Sequence, residues 1–84
     1  MKIIFSSQAW EEYLYWQKTD RSLLKRINSL IEDIRRSPYK GKGKPEPLRY
    51  ALSSYWSRRI NEEHRLVYRI DGGALLLAQL RYHY

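Results

Sequence analysis

One carboxylate stands alone in a basic run. Residues 39–50 read YKGKGKPEPLRY, with Lys40, Lys42, Lys44 and Arg49 as cations and Glu46 as the single acid between Pro45 and Pro47. Each proline fixes its own φ and narrows the residue before it, so the reach of Glu46 is restricted from both sides. Further on come Arg58, Arg59, Arg65, Arg69 and Arg81, and a histidine at 83. A carboxylate near guanidinium groups stays ionised and can take a proton. An imidazole titrates near neutrality and can give one. Arginine presents a planar fork of donors that matches phosphate oxygens. Base, cation and acid together suit a metal-free ribonuclease: Glu46 would deprotonate the 2′-hydroxyl, arginine would stabilise the phosphorane, and His83 would protonate the leaving 5′-oxygen. Spacing alone does not separate this from a plainer account. In that account Glu46 bonds nearby amides or pairs with Lys44 or Arg49, and His83 is a terminal residue without a role.

These residues need elements to position them. MKIIF has the composition of a short strand. Ser6 or Ser7 can cap a helix in which Ala9, Trp10, Tyr13, Leu14 and Gln17 follow with helical spacing. KTD breaks it, and Thr19 or Asp20 can cap a second helix whose stripe is Leu23, Leu24, Ile27, Leu30, Ile31 and Ile34, stopped by Pro38. A Gly/Pro loop follows. Strands are then expected at 56–61, 65–70 and 74–82, with a weaker one near 48–52, and Asp71-Gly72 is a hairpin signal. The order implies one α+β domain over 1–84: an N-terminal strand, a helical hairpin, and a mainly antiparallel meander sheet with the hairpin on one face.

Alternation along the strands sets Trp56, Arg58 and Ile60 against Ser57, Arg59 and Asn61. It likewise sets Leu66, Tyr68 and Ile70 against Arg65, Val67 and Arg69. In the last strand Leu76, Ala78, Leu80 and Tyr82 are expected on one side and Leu75, Leu77, Gln79, Arg81 and His83 on the other. If the apolar sets meet the helices, Arg59, Arg65, Arg69, Arg81 and His83 share the open face. Arg58 breaks the pattern.

The totals bound the partners. The chain has 84 residues, 16 Lys+Arg against 9 Asp+Glu, a net charge of +7, no cysteine and two histidines. Disulfides are excluded and a structural zinc site lacks ligands. The charge favours an anionic partner, nucleic acid first and an acidic protein second. Three Trp and eight Tyr add burial to a small core and suit self-association. No apolar run approaches a membrane span, and MKIIF is too short for a signal-peptide core, so a soluble cytoplasmic protein is expected.

The blocks YLYWQ, KGKGKPEPL, WSRRI, EEHRLVY and the terminal RYHY resemble the YoeB-type messenger-RNA interferase toxins of the RelE/ParE superfamily, along the whole chain. The resemblance implies a RelE-like β-α-α-β-β-β(-β) fold and a type II toxin that cleaves messenger RNA in the ribosomal decoding site, without metal or other cofactor. It implies Glu46 as general base, Arg65 as the transition-state cation, His83 as general acid and Tyr84 as a residue shaping the site. Arg49 and Arg59 match supporting cations, and Lys44 and Arg81 join them as RNA-binding candidates. It also implies a YefM-type antitoxin with an acidic C-terminal segment, and homodimers. Alternation puts Tyr84 opposite His83, so the resemblance requires the chain to bend at its C-terminus. The sequence departs from the family after PEPL: Arg49 is followed by Tyr50, Ala51, Leu52, Ser53 and Ser54, with no glycine before Tyr55. The alternative within the superfamily is a ParE-like, non-catalytic inhibitor of ribosome, RNA or gyrase.

Overall fold

The structure, a computed structural model, describes residues 1–82. Ser6 opens α1 (Ser7–Thr19): its hydroxyl accepts the Ala9 N–H at 2.9 Å. Asp20 then serves two helices. Its N–H closes α1 on the Trp16 carbonyl, and its carboxylate opens α2 (Arg21–Arg36) by accepting the Leu23 N–H at 3.0 Å. One residue of non-helical backbone therefore makes the hairpin. As its periodicity predicts, α2 buries Ile27, Leu30, Ile31 and Ile34. The inner face of α1 is rotated from the expected stripe. It buries Ala9 and Trp16, with Tyr13 packed against the core, while Trp10 and Leu14 are 48% and 41% exposed. Trp16 goes inside because its indole N–H finds the Leu80 carbonyl at 2.9 Å.

The sheet has strand order β1-β5-β4-β3-β2, from β1 (Lys2–Phe5), β2 (Glu46–Pro47), β3 (Trp56–Arg59), β4 (Arg65–Asp71) and β5 (Ala74–Gln79). β1 runs parallel to β5, with the helical hairpin in the connection that follows β1, and the other neighbours are antiparallel. Gly72 and Gly73, at φ +57° and +77°, form the two-residue turn of the expected hairpin, one residue beyond the Asp71-Gly72 pair that signals it, since Asp71 still pairs with Ala74. The strand expected near 48–52 is instead a two-residue edge strand at 46–47 followed by a 3₁₀ turn at Tyr50–Leu52. Tyr50, at φ +59°, ends the extended backbone. The last strand stops at Gln79, not 82.

Its expected alternation is also corrected. Tyr68 opposes Leu77 and Val67 opposes Gln79, which leaves Ala78 as an extra residue. The bulge resets the phase, so Leu75, Leu77 and Leu80 all reach the helix-side core. Among the described residues, no helix is long and apolar enough to cross a membrane.

Arg58, expected to break the pattern, organises it. It is fully buried on the helix side of β3. Its guanidinium donates to the Asp33 carboxylate at 2.6 Å, to the carbonyls of Ser37, Lys40 and Lys42, and to the Tyr68 hydroxyl, which in turn donates to the Pro38 carbonyl. The loop from Ser37 to Lys42 is thereby wrapped around one cation. Asp33 also accepts the Lys42 N–H and a bond from Arg36. Gly41, at φ +117°, closes the cage, since a Cβ there would collide with the Asp33 carboxylate.

The Lys42 N–H, then Arg58 and Arg36, hold the Asp33 carboxyl at about 2 against an ordinary 3.8. A carboxylate whose folded value is depressed stabilises the fold fully above its unfolded value, and that contribution is lost as pH falls through the folded one. Urea unfolding followed down from pH 5 should therefore show a loss between 3.8 and about 2 that Asp33→Asn does not share. Arg58→Ala, which strands a buried carboxylate, should cost about 3–5 kcal/mol in the same assay.

Candidate active site

Glu46 owes its position to two devices. The Arg58 cage fixes the loop upstream, and pairing with β3 fixes Glu46 itself, opposite Ser57. Ser57 opposes Val67, and Arg59 opposes Arg65. Residues directly opposite share a side of the sheet, and so do residues two apart. Glu46, Arg59 and Arg65 therefore lie on the face away from the helices, as the alternation predicts for the two arginines. Glu46 is diagonal to Arg59, a separation of about 7–8 Å that long side chains span.

Arg59 is held at its backbone. Its N–H donates to the Gly43 carbonyl at 2.7 Å, and its own carbonyl accepts from Arg26 at 3.1 Å. Arg65 is held at both ends. Its N–H donates to the Tyr82 carbonyl at 3.0 Å, and its Nη1 donates to the Asn61 carbonyl at 3.1 Å. Arg69 shares this face, with its guanidinium 5.4 Å from the Tyr55 ring centre and 3.5 Å from the Asp71 carboxylate. The segment 48–55 lies across part of the face. Leu48 and Val67 are buried yet stand outside the main core, and the Leu48 N–H donates to the Tyr55 carbonyl.

Beside Glu46 opens a cavity of about 660 Å³ lined by Glu46, Pro47, Leu48, Arg49, Tyr50 and Leu52. Lys44 and Arg49 flank Glu46 in sequence and are exposed. An ionisable oxygen, exposed cations and an open cleft can take up a strand of phosphates and leave a hydroxyl proton within reach of the carboxylate. Among the described residues, no group of three or more His, Cys, Asp or Glu is placed to hold a metal ion.

Arg81 is not aligned with the other arginines. Its guanidinium lies 3.8 Å from the centre of the Tyr15 ring and 5.8 Å from that of Trp16, on α1. Arg81 lies beyond the end of β5, where strand alternation no longer sets its side. His83 and Tyr84 lie outside the described residues. The bend that the resemblance requires at the C-terminus therefore also lies outside them; Tyr82, the last described residue, has φ +63°.

Sequence reasoning assigned no role to His64, which is buried and accepts the Tyr82 N–H on Nδ1 at 2.7 Å. Its composition gave one hint, as one of two histidines. The role of Arg58 had a better signal, because Asp33 falls among the buried positions of α2 and needs a cation there.

Comparison with known proteins bears on the family and the fold. A family described as YoeB-like toxin of bacterial type II toxin-antitoxin system matches residues 5–84. Toxin YoeB of Escherichia coli strain K12 is 60% identical over 84 residues, the full length of both chains. A solved YoeB/ParE toxin from Agrobacterium tumefaciens superposes with a TM-score of 0.98 at 45% identity, covering both chains completely. Two Staphylococcus aureus structures, a YoeB dimer and a heterotetrameric YoeB-YefM toxin-antitoxin complex, superpose at 0.93 and 0.92. Each is 47% identical and covers 100% of this chain and 98% of the other.

The direct Arg59–Arg65 pair puts like charges opposite each other on adjacent strands, which works against folding. Arg59→Thr, which also favours a strand, should raise the unfolding free energy by about 0.2–1 kcal/mol in chemical denaturation.

Proposed function

The chain belongs to the YoeB-like toxin family of bacterial type II toxin–antitoxin systems, and on that footing we propose that it is a ribosome-dependent endoribonuclease that cleaves messenger RNA in the decoding site. The observation that carries this reading is the position of Glu46: a carboxylate on the open face, diagonal to Arg59 and beside a cleft with Arg49. A pure binder of polyanions gains nothing from an acid there.

The reaction proceeds by in-line attack. Glu46 takes the proton of a ribose 2′-hydroxyl, and the 2′-oxygen forms a bond to the adjacent phosphorus. Arg65 stabilises the added negative charge on the phosphorane. The bond from phosphorus to the 5′-oxygen breaks as His83 gives that oxygen a proton, leaving a 2′,3′-cyclic phosphate and a 5′-hydroxyl. Side chains supply both proton transfers, so the scheme needs no metal ion. Lys44, Arg49 and Arg59 hold flanking phosphates, and Tyr84 shapes the site. Arg81, engaged with Tyr15, has no part in this scheme. The 48–55 segment, which differs from the family pattern, brings Tyr50 to the rim of the cleft at 90% exposure.

The cognate inhibitor is a YefM-type antitoxin, by analogy with the Staphylococcus aureus complex. Its acidic segment would neutralise the arginine face and order itself on binding. Self-association is proposed on the same basis as the YoeB dimer. The exposed Trp10, Leu14 and Tyr15 on α1 offer apolar area for it.

Primer extension on a translated messenger with purified ribosomes tests the central reading. Wild type should break the messenger within the decoding site. Glu46→Ala should lower the rate by about 10²–10⁴-fold, with ribosome binding retained. Absence of a break from ribosome-bound wild type would point instead to a non-catalytic inhibitor of the same fold. Affinity should also fall with salt, and Arg49→Ala should flatten the log–log slope by about 0.7, the value for one single-strand phosphate contact.

A further inference from the structure

The backbone of residues 80–82 runs beyond β5 and has no ladder of its own. Yet its polar groups find partners. The Leu80 N–H donates to the Glu12 carboxylate at 2.8 Å, and the Leu80 carbonyl accepts the Trp16 indole N–H at 2.9 Å. The Arg81 carbonyl accepts from the Gln79 side chain at 2.9 Å. The Tyr82 carbonyl accepts the Arg65 N–H at 3.0 Å, and the Tyr82 N–H donates to His64 Nδ1 at 2.7 Å. Four of these five partners are side chains.

The His64 bond stands where a strand pair would use a carbonyl. The His64 carbonyl is occupied by the N–H groups of Ile60 and Asn61 and by Arg65. Its imidazole nitrogen takes over. The ring is fixed from all sides: Trp16 packs edge-on at 4.8 Å, Tyr82 lies at 5.5 Å, and Nε2 faces the Glu63 carboxylate at 3.6 Å. The His64 N–H is held by the Asn61 side chain at 2.8 Å. A nitrogen that accepts an N–H carries no proton of its own, so the ring hydrogen belongs on Nε2. Residues 64 and 65 thus grip Tyr82 by both its N–H and its carbonyl, at the residue before His83 and with Tyr82 in the left-handed region.

We propose that His64 is a positioning residue for RNA cleavage: its Nδ1, by accepting the Tyr82 N–H, latches the C-terminal segment to the backbone of Arg65 and so sets the placement of the proposed acid relative to the proposed transition-state cation. The latch rests on the ribonuclease reading for its effect on catalysis, but not for its effect on the segment itself. On the ribonuclease reading the acid follows Tyr82 directly in the chain, so releasing one of the two bonds that hold Tyr82 loosens the tether between that acid and Arg65. Displacement of about 1 Å costs on the order of a hundredfold in rate.

The test compares full-length wild type with His64→Leu, His64→Gln and His64→Asn. Asparagine can offer its Oδ1 near the place of Nδ1, whereas glutamine places its polar atoms nearer Nε2 and leucine offers no acceptor. His64→Gln, which keeps a polar side chain but moves its acceptor away from the Tyr82 N–H, serves if the leucine variant does not fold, and Glu12 variants control for the other side of the segment. Two readouts are taken: single-turnover cleavage on programmed ribosomes with ribosome affinity measured separately, and release of the two C-terminal residues by carboxypeptidase.

His64→Leu should lower the cleavage rate about a hundredfold at unchanged ribosome affinity and speed carboxypeptidase release. His64→Asn should recover roughly a tenth or more of the wild-type rate and slow release again, in keeping with a restored bond. His64→Gln should behave like leucine. Glu12→Gln, which keeps an acceptor for Leu80, should leave both readouts near wild type, and Glu12→Leu should speed release. Unchanged release and cleavage in His64→Leu would overturn the latch. So would slowed cleavage without faster release, because His64 would then act by another route. Faster release from His64→Leu, with wild type inert on ribosomes, would leave the latch standing and remove the ribonuclease reading alone.

Discussion

A buried guanidinium is the constraint on which the rest of the structure depends. Arg58 sits inside the domain with Asp33, and desolvating either charge alone would cost several kcal/mol. The pair is tolerated because every direction of the guanidinium fork is answered, by one carboxylate, three loop carbonyls and a phenol. Those answers come from a Gly-rich loop that has no regular structure to hold it. Burial also pushes the Tyr68 phenol up from its ordinary value, so it remains a donor to Pro38 while it accepts from Arg58. The arrangement makes loop order, helix position and strand position parts of a single cooperative network. The loop from Ser37 to Lys42, which leads towards Glu46, is thereby tied to the core without a helix or strand of its own.

The opposite face follows another logic. There arginines on adjacent strands confront each other directly, and the side chains remain at the surface. Repulsion of this kind lowers stability, and an anionic ligand relieves it. Charge used in this way raises association rate and selectivity for polyanions more than it raises fold stability. The two faces of β3 therefore treat neighbouring arginines differently: Arg58 is neutralised within the fold, and the side chain of Arg59 is left exposed. A domain this small has little stability to spare, and the paired network behind the sheet offsets what the open face gives up.

How much of this was legible in the sequence can be read from particular residues. Caps at Ser6 or Ser7 and at Thr19 or Asp20, the α2 stripe and a hairpin at Asp71-Gly72 were accessible because each is a local preference, decided by backbone geometry and by period; the structure chose Ser6, Asp20 and a turn at Gly72-Gly73. The sides taken by Arg59, Arg65 and Arg69 followed from alternation over short, regular strands. The last strand misled for the same reason: period two holds only while pairing is regular, and the extra residue at Ala78 is a property of two strands together. The edge strand also escaped detection. Glu46–Pro47 is too short to have a period, and its pairing with Trp56 and Ser57 is set by the loop cage.

By itself the sequence determined the element order, the approximate helix boundaries, the net charge of the chain and the family, because these rest on residue types and short-range spacing. Tertiary structure alone decided that Arg58 is a core residue, that Arg81 stacks on Tyr15, and that His64 holds Tyr82. The physical reason is common to all three. A long polar side chain has no intrinsic side of a sheet to prefer, and its place is set by whether partners far along the chain can satisfy its donors and acceptors once it leaves water.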